Sequence, residues 1–276
     1  MFLKSKNKFH FLEQQGKAVT VLANAAAVLR CFSSDCTELT VTDVVTRLEM
    51  PKANASRLLK AMREAGLLET IGDSKRHRPG RLLLDISAAF RASSPLIRMG
   101  AEVVTRISAE CGHTGYVSVL SGPEVTAVTD TPGSNTLRVV SNLGRRLPAH
   151  ASSTGRALLA RMSDAEVRRL YPAGLPQGPA NGPRDLDDLF DRLRTIRAQG
   201  YALSNEEATP GVDAISVAVS DPRAGETVAL CVVFPAAVVG EDERAAILRG
   251  LLRGAAEIAA RTGDPVAAQL NERIPA

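Results

Sequence analysis

At 276 residues the chain is long enough for two domains, each with its own core, and an apolar content of 45% is that of a globular protein. No apolar run approaches the roughly 20 residues of a membrane helix, and Lys4, Lys6 and Lys8 precede no apolar segment, so a cytoplasmic protein is expected. Cys31, Cys36, Cys111 and Cys231 show no CxxC spacing, so no metal, cofactor or disulfide framework is expected.

The net charge of +4 is unevenly distributed. Residues 1–91 carry 15 Lys and Arg against 9 Asp and Glu, whereas residues 92–276 carry 19 against 21. A basic first third fits a nucleic-acid partner, because neutralising phosphates releases their condensed counterions.

Residues 1–17 read as a flexible polar tail. From Ala18 to Phe32, Val21, Leu22, Ala25, Val28, Leu29 and Phe32 form an apolar helical stripe. Thr40 and Asp43 have capping-box spacing ahead of a short helix with Val44, Val45 and Leu48 on one face. After a break at Glu49-Met50, Pro51 opens a second helix over 52–65, with Ala55, Leu58, Leu59 and Met62 inward and Gly66 as its stop. Residues 67–71 and 81–84 are expected to pair across the loop 72–80 as a hairpin with a basic tip. Together these elements predict a winged helix-turn-helix.

Residues 85–91 read as a short helix, and Ser93-Ser94-Pro95 as a domain boundary. A long amphipathic helix over 96–111 ends at Gly112. Strands are expected at 116–120 and 125–129 around Ser121-Gly122-Pro123, and a third at 137–140. Helices follow at 154–162 and 165–170, then a Pro/Gly-rich loop over 172–183 and a helix over 186–199 capped by Gly200. Strands at 215–219 and 228–234 and a closing helix over 241–261 complete a mixed sheet covered by helices. The expected division is a tail (1–17), a DNA-binding domain (18–91), a linker helix (92–112) and a sensor domain (113–265).

Three blocks give the chain a resemblance to the IclR family of bacterial transcription regulators. They are the helix-turn-helix residues 39–44 and 51–59 with the wing end at Gly80-Arg81-Leu82, the run Leu147-Pro148-Ala149-His150-Ala151-Ser152-Ser153-Thr154-Gly155-Arg156 continuing to Ala160, and Gly200, Ser204, Glu207, Ala214-Ile215-Ser216, Val219 and Asp221. The resemblance implies an α+β fold: a winged helix-turn-helix joined by a linker helix to a GAF-like α/β effector-binding domain. It also implies homodimers or homotetramers on a double-stranded DNA operator, with a small metabolite controlling transcription, as in a repressor of a metabolic operon. Ala53, Asn54 and Ser56 depart from the family's usual residues, so the resemblance implies DNA binding without fixing the operator sequence.

The candidate DNA-contacting residues are Thr42, Lys52, Ala53, Asn54, Ser56, Arg57 and Lys60 on the helices and Lys75, Arg76, His77 and Arg78 in the wing. Asn54 suits adenine and Arg57 suits guanine or phosphate, while loop cations position the protein more often than they read bases. By resemblance, the effector positions are Ser153, Thr154, Ser204, Val212, Ala214, Cys231 and Val233, with His113, Tyr116 and Ser118 as weaker candidates. Val212 and Ala214 are two residues apart, as are Cys231 and Val233, so each pair shares one face of an extended segment. This pocket is expected to be neutral, without Lys or Arg, and to take a small carboxylate or aromatic metabolite. An anion would then depend on the backbone at a helix start near Ser152–Gly155; plain capping by Ser or Thr is the simpler use of those residues. His150, Cys231, Glu206, Glu207 and Asp213 form no recognised catalytic motif, so the chain is not expected to be an enzyme. The alternative is a small-molecule-binding enzyme with a vestigial or protein-binding N-terminal domain.

Overall fold

The computed structural model describes residues 21–33, 36–140 and 143–273. The expected tail over 1–17 and the start of the first helix at Ala18 lie outside them. The chain forms two compact units, divided between Asp85 and Ile86.

The first unit holds α1 (Val21–Arg30), α2 (Val41–Leu48), α3 (Lys52–Glu64) and the antiparallel pair β1 (Leu68–Thr70) and β2 (His77–Pro79). Its core is Val28, Leu39, Val44, Ala55, Leu58, Leu59, Met62 and Leu68, so the inward stripe read from α3 is the buried one. The capping box forms: the Thr40 backbone and hydroxyl both donate to Asp43 Oδ2 at 2.7 Å, and Asp43 N donates back to Thr40 Oγ1 at 3.2 Å. These bonds hold the Asp43 carboxyl below its ordinary value of 3.8. Its contribution to stability is therefore complete above that value and is lost as the pH falls through the lowered one. Thr40→Ala should cost this unit about 1 kcal/mol, measured by urea unfolding at pH 7; no change in midpoint would show that the cap is redundant.

The wing differs from its sequence reading. Its second strand is His77–Pro79, and 81–84 belong to α4 (Arg81–Ser93), which also replaces the short helix expected at 85–91. Leu82-Leu83-Leu84 has helical propensity. The strand is fixed instead by a tertiary contact, as Leu39 and His77 exchange backbone bonds of 2.8 Å on the edge opposite β1.

The second unit contains an antiparallel sheet rather than the mixed one expected. Its order is β5 (Arg146–Pro148), β4 (Glu124–Thr131), β3 (Thr114–Ser121), β8 (Glu226–Pro235), β7 (Val212–Asp221) and β6 (Ala202–Asn205). Two meanders, β3–β4–β5 and β6–β7–β8, thus join along β3 and β8. The segment 137–140 is not a strand; Leu137 and Val140 are exposed. Strands β5 and β6, both at sheet edges, were missed.

One face of this sheet packs on α5 (Pro95–Cys111) and α9 (Glu241–Thr262), using Val117, Val217, Leu230, Val232 and Phe234. The other packs on α6 (Ser153–Leu159), α7 (Asp164–Leu170) and α8 (Leu186–Gln199), using Val125, Ala202, Ala218 and Ala229. Helix α5, expected as the linker, is core: Leu96, Ile97, Met99, Val103, Val104 and Ile107 are all buried. The connecting element is α4, which contains the division between the units and has no buried residue.

Candidate functional site

In the first unit, Lys52, Ala53, Asn54, Ser56, Arg57 and Lys60 all lie on the exposed side of α3, opposite its buried stripe. Thr42 is exposed on α2. Arg57 Nη2 donates to Asn54 Oδ1 at 2.7 Å, so the two side chains best suited to base edges are already aligned with each other. Lys60 lies 3.8 Å from Glu64 in an exposed pair.

The wing cations divide into three kinds. Lys75 sits in the exposed tip, whereas Arg76 pairs with Glu38 and Arg78 with Glu69, each at 3.2 Å. His77 differs from its neighbours: it is 7% exposed and its backbone anchors the wing to Leu39, so its side chain is buried and not part of the wing's exposed surface. Burial, then Arg63, lowers its pKa and favours the neutral ring.

In the second unit, cross-strand register gathers most of the expected effector residues. Ser204, Ala214, Val233 and Thr114 lie opposite one another across β6, β7, β8 and β3. The next row on that face is Ala202, Ser216, Cys231 and Tyr116. Directly opposed residues of an antiparallel sheet point to the same side, here the side of α6. Val212, two residues before Ala214, joins this cluster with Val139.

Ser153 on α6 faces the sheet, its hydroxyl 2.8 Å from that of Ser216. Cys231 stands opposite Ser216 and Tyr116 on the neighbouring strands and near Ser153, giving a hydroxyl–thiol cluster. Burial pushes the Cys231 thiol up to about 11, against the opposite pull of those hydroxyls. Burial also raises the Tyr116 hydroxyl well above its ordinary value, assisted by Cys231 and opposed by Arg145.

Other expectations change. Ser152, at the N-cap, accepts from Gly155 N at 3.1 Å, and Thr154 donates to Ser152 at 3.4 Å, so these two hydroxyls form the cap. Gly155 is required here, since a Cβ on it would lie 2.1 Å from the Ala149 carbonyl oxygen. His113 faces the other side of the sheet, its Nε2 2.9 Å from Glu243 and its ring 5.8 Å from that of Phe234. His150 is a packed ring, edge-on to Tyr171 at 5.7 Å, its pKa lowered by burial and then by Arg156.

Two arginines lie near the expected effector residues. Arg156, almost fully buried on α6, pairs with Glu207 and donates to the carbonyls of His150 (3.1 Å) and Leu203 (2.5 Å). Glu207 also meets Arg192 at 3.4 Å. Arg145, half-buried just before β5, donates to Thr209 Oγ1 at 3.4 Å. The sequence reading missed Ser216, which period-two spacing from Ala214 identifies, and Arg145 and Val139, for which the chain holds no local signal. A concavity of about 140 Å³ on the α9 side, lined partly by Asn205, Asp213, Phe234 and Arg244, is a different feature. Its Arg244 and Asp213 are paired at 2.6 Å.

A winged helix-turn-helix and an antiparallel α+β unit with a polar cluster beneath one helix define the class: ligand-responsive, DNA-binding transcription regulators. The chain belongs to the IclR family, matching the model for the bacterial transcriptional regulator IclR C-terminal domain over residues 90–260 and the IclR helix-turn-helix domain over 21–72. Among its relatives is the HTH-type transcriptional regulator XynR of Escherichia coli K12, 28% identical over 200 residues, covering 71% of this chain and 78% of XynR. A solved IclR transcriptional regulator from Silicibacter sp. TM1040 has the same fold, with a TM-score of 0.80 at 23% identity over 90% of this chain and 99% of its own. An IclR homologue from Microbacterium hydrocarbonoxydans, solved with 4-hydroxybenzoate, gives a TM-score of 0.70 at 21% identity over 92% of this chain and 100% of its own.

Proposed function

We propose that this regulator is a homo-oligomeric repressor of a metabolic operon, controlled by a small carboxylate or aromatic metabolite bound between α6 and the sheet. The observation that carries the reading is the convergence of Ser153, Ser216, Cys231 and Tyr116 with the apolar Ala214, Val212 and Val233 on one face. A compact ligand with one polar end suits such a lining. The Microbacterium homologue's 4-hydroxybenzoate supports this ligand class. The exposed face of α3 and the Lys75 wing tip supply the DNA contacts, with the recognition helix in the major groove.

The site binds and does not catalyse. At neutral pH a thiol near 11 has a thiolate fraction on the order of one in ten thousand, and the thiolate is the nucleophile. Iodoacetamide at pH 7.5 should therefore leave Cys231 unmodified in the folded chain and label it in urea, read by peptide mass spectrometry. Rapid native labelling would reopen a catalytic reading.

Gel shifts on the DNA upstream of the chain's own gene, with a salt titration, test the DNA half. Site-specific, salt-steep binding is expected; no binding at low salt would reject it. A reporter on that promoter tests the sign, since deleting the gene raises expression if the chain represses. Size-exclusion chromatography with light scattering tests the oligomer, and a monomer at micromolar concentration would reject it.

A further inference from the structure

One side chain beside the hydroxyl–thiol face, Arg145, bears on the charge of a ligand. Gly144 N donates to the Ala127 carbonyl at 3.0 Å, so the chain enters β5 alongside β4. Leu147 pairs with Val125 in the cluster beneath α6–α8, and alternation places Arg145 on that same side. From there it reaches Thr209, in the loop between β6 and β7. Strands β5 and β6 are the two edges of the sheet, so the β6–β7 loop must fold back to bring Thr209 within reach of Arg145, whose charge is also felt at Tyr116.

The acids of β7 and of the loop before it, which carries Thr209, are engaged elsewhere. Glu207 is held by Arg156 and Arg192, Asp213 by Arg244, and Glu206 accepts from Gly211 N. Asp130 lies opposite Tyr116 on β4 and makes no ion pair with Arg145. Among the described residues, Arg145 has a single long bond to a neutral hydroxyl and no carboxylate partner. A half-buried guanidinium placed this way is an incomplete anion site, because its planar fork matches a carboxylate with two parallel N–H bonds.

We propose that Arg145 is the charge anchor of the pocket, gripping the carboxylate of a compact monoanion while Ser153, Ser216 and Cys231 meet the ligand's far polar end. This rests on the effector reading of the same face. It also replaces the helix start near Ser152 as the source of anion selectivity, since that backbone is occupied by its own cap. Tyr116, whose hydroxyl lies in the field of Arg145, stands opposite Cys231 on the neighbouring strand.

Acid–amide pairs of equal shape test the proposal on the full chain: benzoate with benzamide, and pyruvate with pyruvamide, each read by thermal shift and calorimetry. Wild type should bind an acid more tightly than its amide, and Arg145→Gln should lose about ten- to a hundredfold in acid affinity with the amide little changed. Arg145→Lys should recover part of that loss. Ala214→Leu, or Ser204→Leu should that variant not fold, fills the pocket and should abolish acid binding. Acid binding that Ala214→Leu abolishes but Arg145→Gln leaves intact overturns the anchor while the pocket stands. Amides binding as well as acids does the same. Acids binding equally to the filled variants reject the pocket itself, and no binding by any pair rejects both.

Discussion

Glu207→Ala should destabilise the second unit by about 3–5 kcal/mol, more than any surface substitution in the chain. The carboxylate is 6% exposed and the Arg156 guanidinium 2% exposed, and removing the acid leaves that buried cation without its counter-charge. Burial already lowers the Arg156 pKa, and Glu207 is the largest influence holding it up. The remaining carbonyls of His150 and Leu203 solvate the guanidinium in part but carry no full charge. Arg192, now missing its own 3.4 Å contact, adds to the imbalance. Urea unfolding of the full chain should show the second unit's transition moved to lower denaturant while that of the first unit stays in place. The double variant Arg156→Met with Glu207→Leu should recover much of the loss, because a buried pair is often replaceable by apolar side chains of similar size. A single-variant loss below about 1 kcal/mol would show that water reaches the pair.

That pair also shows what a sequence hides. Arg156 and Glu207 are 51 positions apart and meet only because α6 packs against β6 and the turn after it. Where the determinants were local, the sequence was readable: the Thr40–Asp43 box, the inward stripe of α3, the αL glycines Gly112 and Gly200, and the hairpin turn after Ser121 all stand as read. Where tertiary pairing decides, it was not. His77-Arg78-Pro79 has poor strand propensity and is a strand because Leu39 and Leu68 flank it. Leu137–Val140 has strand composition but no strand beside it, and Val139 covers the effector cluster instead. Strands β5 and β6 are too short and too polar to display a period.

The candidate effector residues were legible in part. The resemblance pointed to Ala214, Cys231 and Val233, the two-residue spacing put each pair on one face of an extended segment, and strand register brings the pairs side by side. Arg145 has no such signal, since its position follows from the curl of the sheet that brings the β6–β7 loop within reach of β5. Thr154 was named with Ser153 by resemblance, and adjacent residues of this helix turn make different contacts: Ser152 caps, Thr154 donates to that cap, and Ser153 faces the sheet.

On the DNA side, Lys52→Ala, Arg57→Ala and Lys60→Ala together should reduce operator affinity by about a hundred- to a thousandfold near 0.15 M salt and lower the salt slope by about three. All three project from the exposed side of α3, whose opposite side is fixed by Ala55, Leu58, Leu59 and Met62, so truncation removes charge without disturbing the core. The residues are not equivalent. Lys52 stands at the start of the helix, and Lys60 is partly compensated by Glu64 at 3.8 Å, so its share of the slope should be smaller. Arg57 is distinct because its guanidinium rests on Asn54 Oδ1 in the free protein. If the pair reads adjacent bases, Arg57→Ala alone should cost about 1–3 kcal/mol on the operator and much less on random duplex. The loss from Asn54→Ala and Arg57→Ala together should then fall short of the sum of the two singles, because each orients the other. Quantitative gel shifts at four salt concentrations, on a duplex selected from a random pool and on a shuffled control, measure every one of these quantities. An equal loss on both duplexes would assign Arg57 to phosphate and leave sequence reading to Asn54 and Ser56. An unchanged salt slope in the triple variant would remove α3 from the interface altogether.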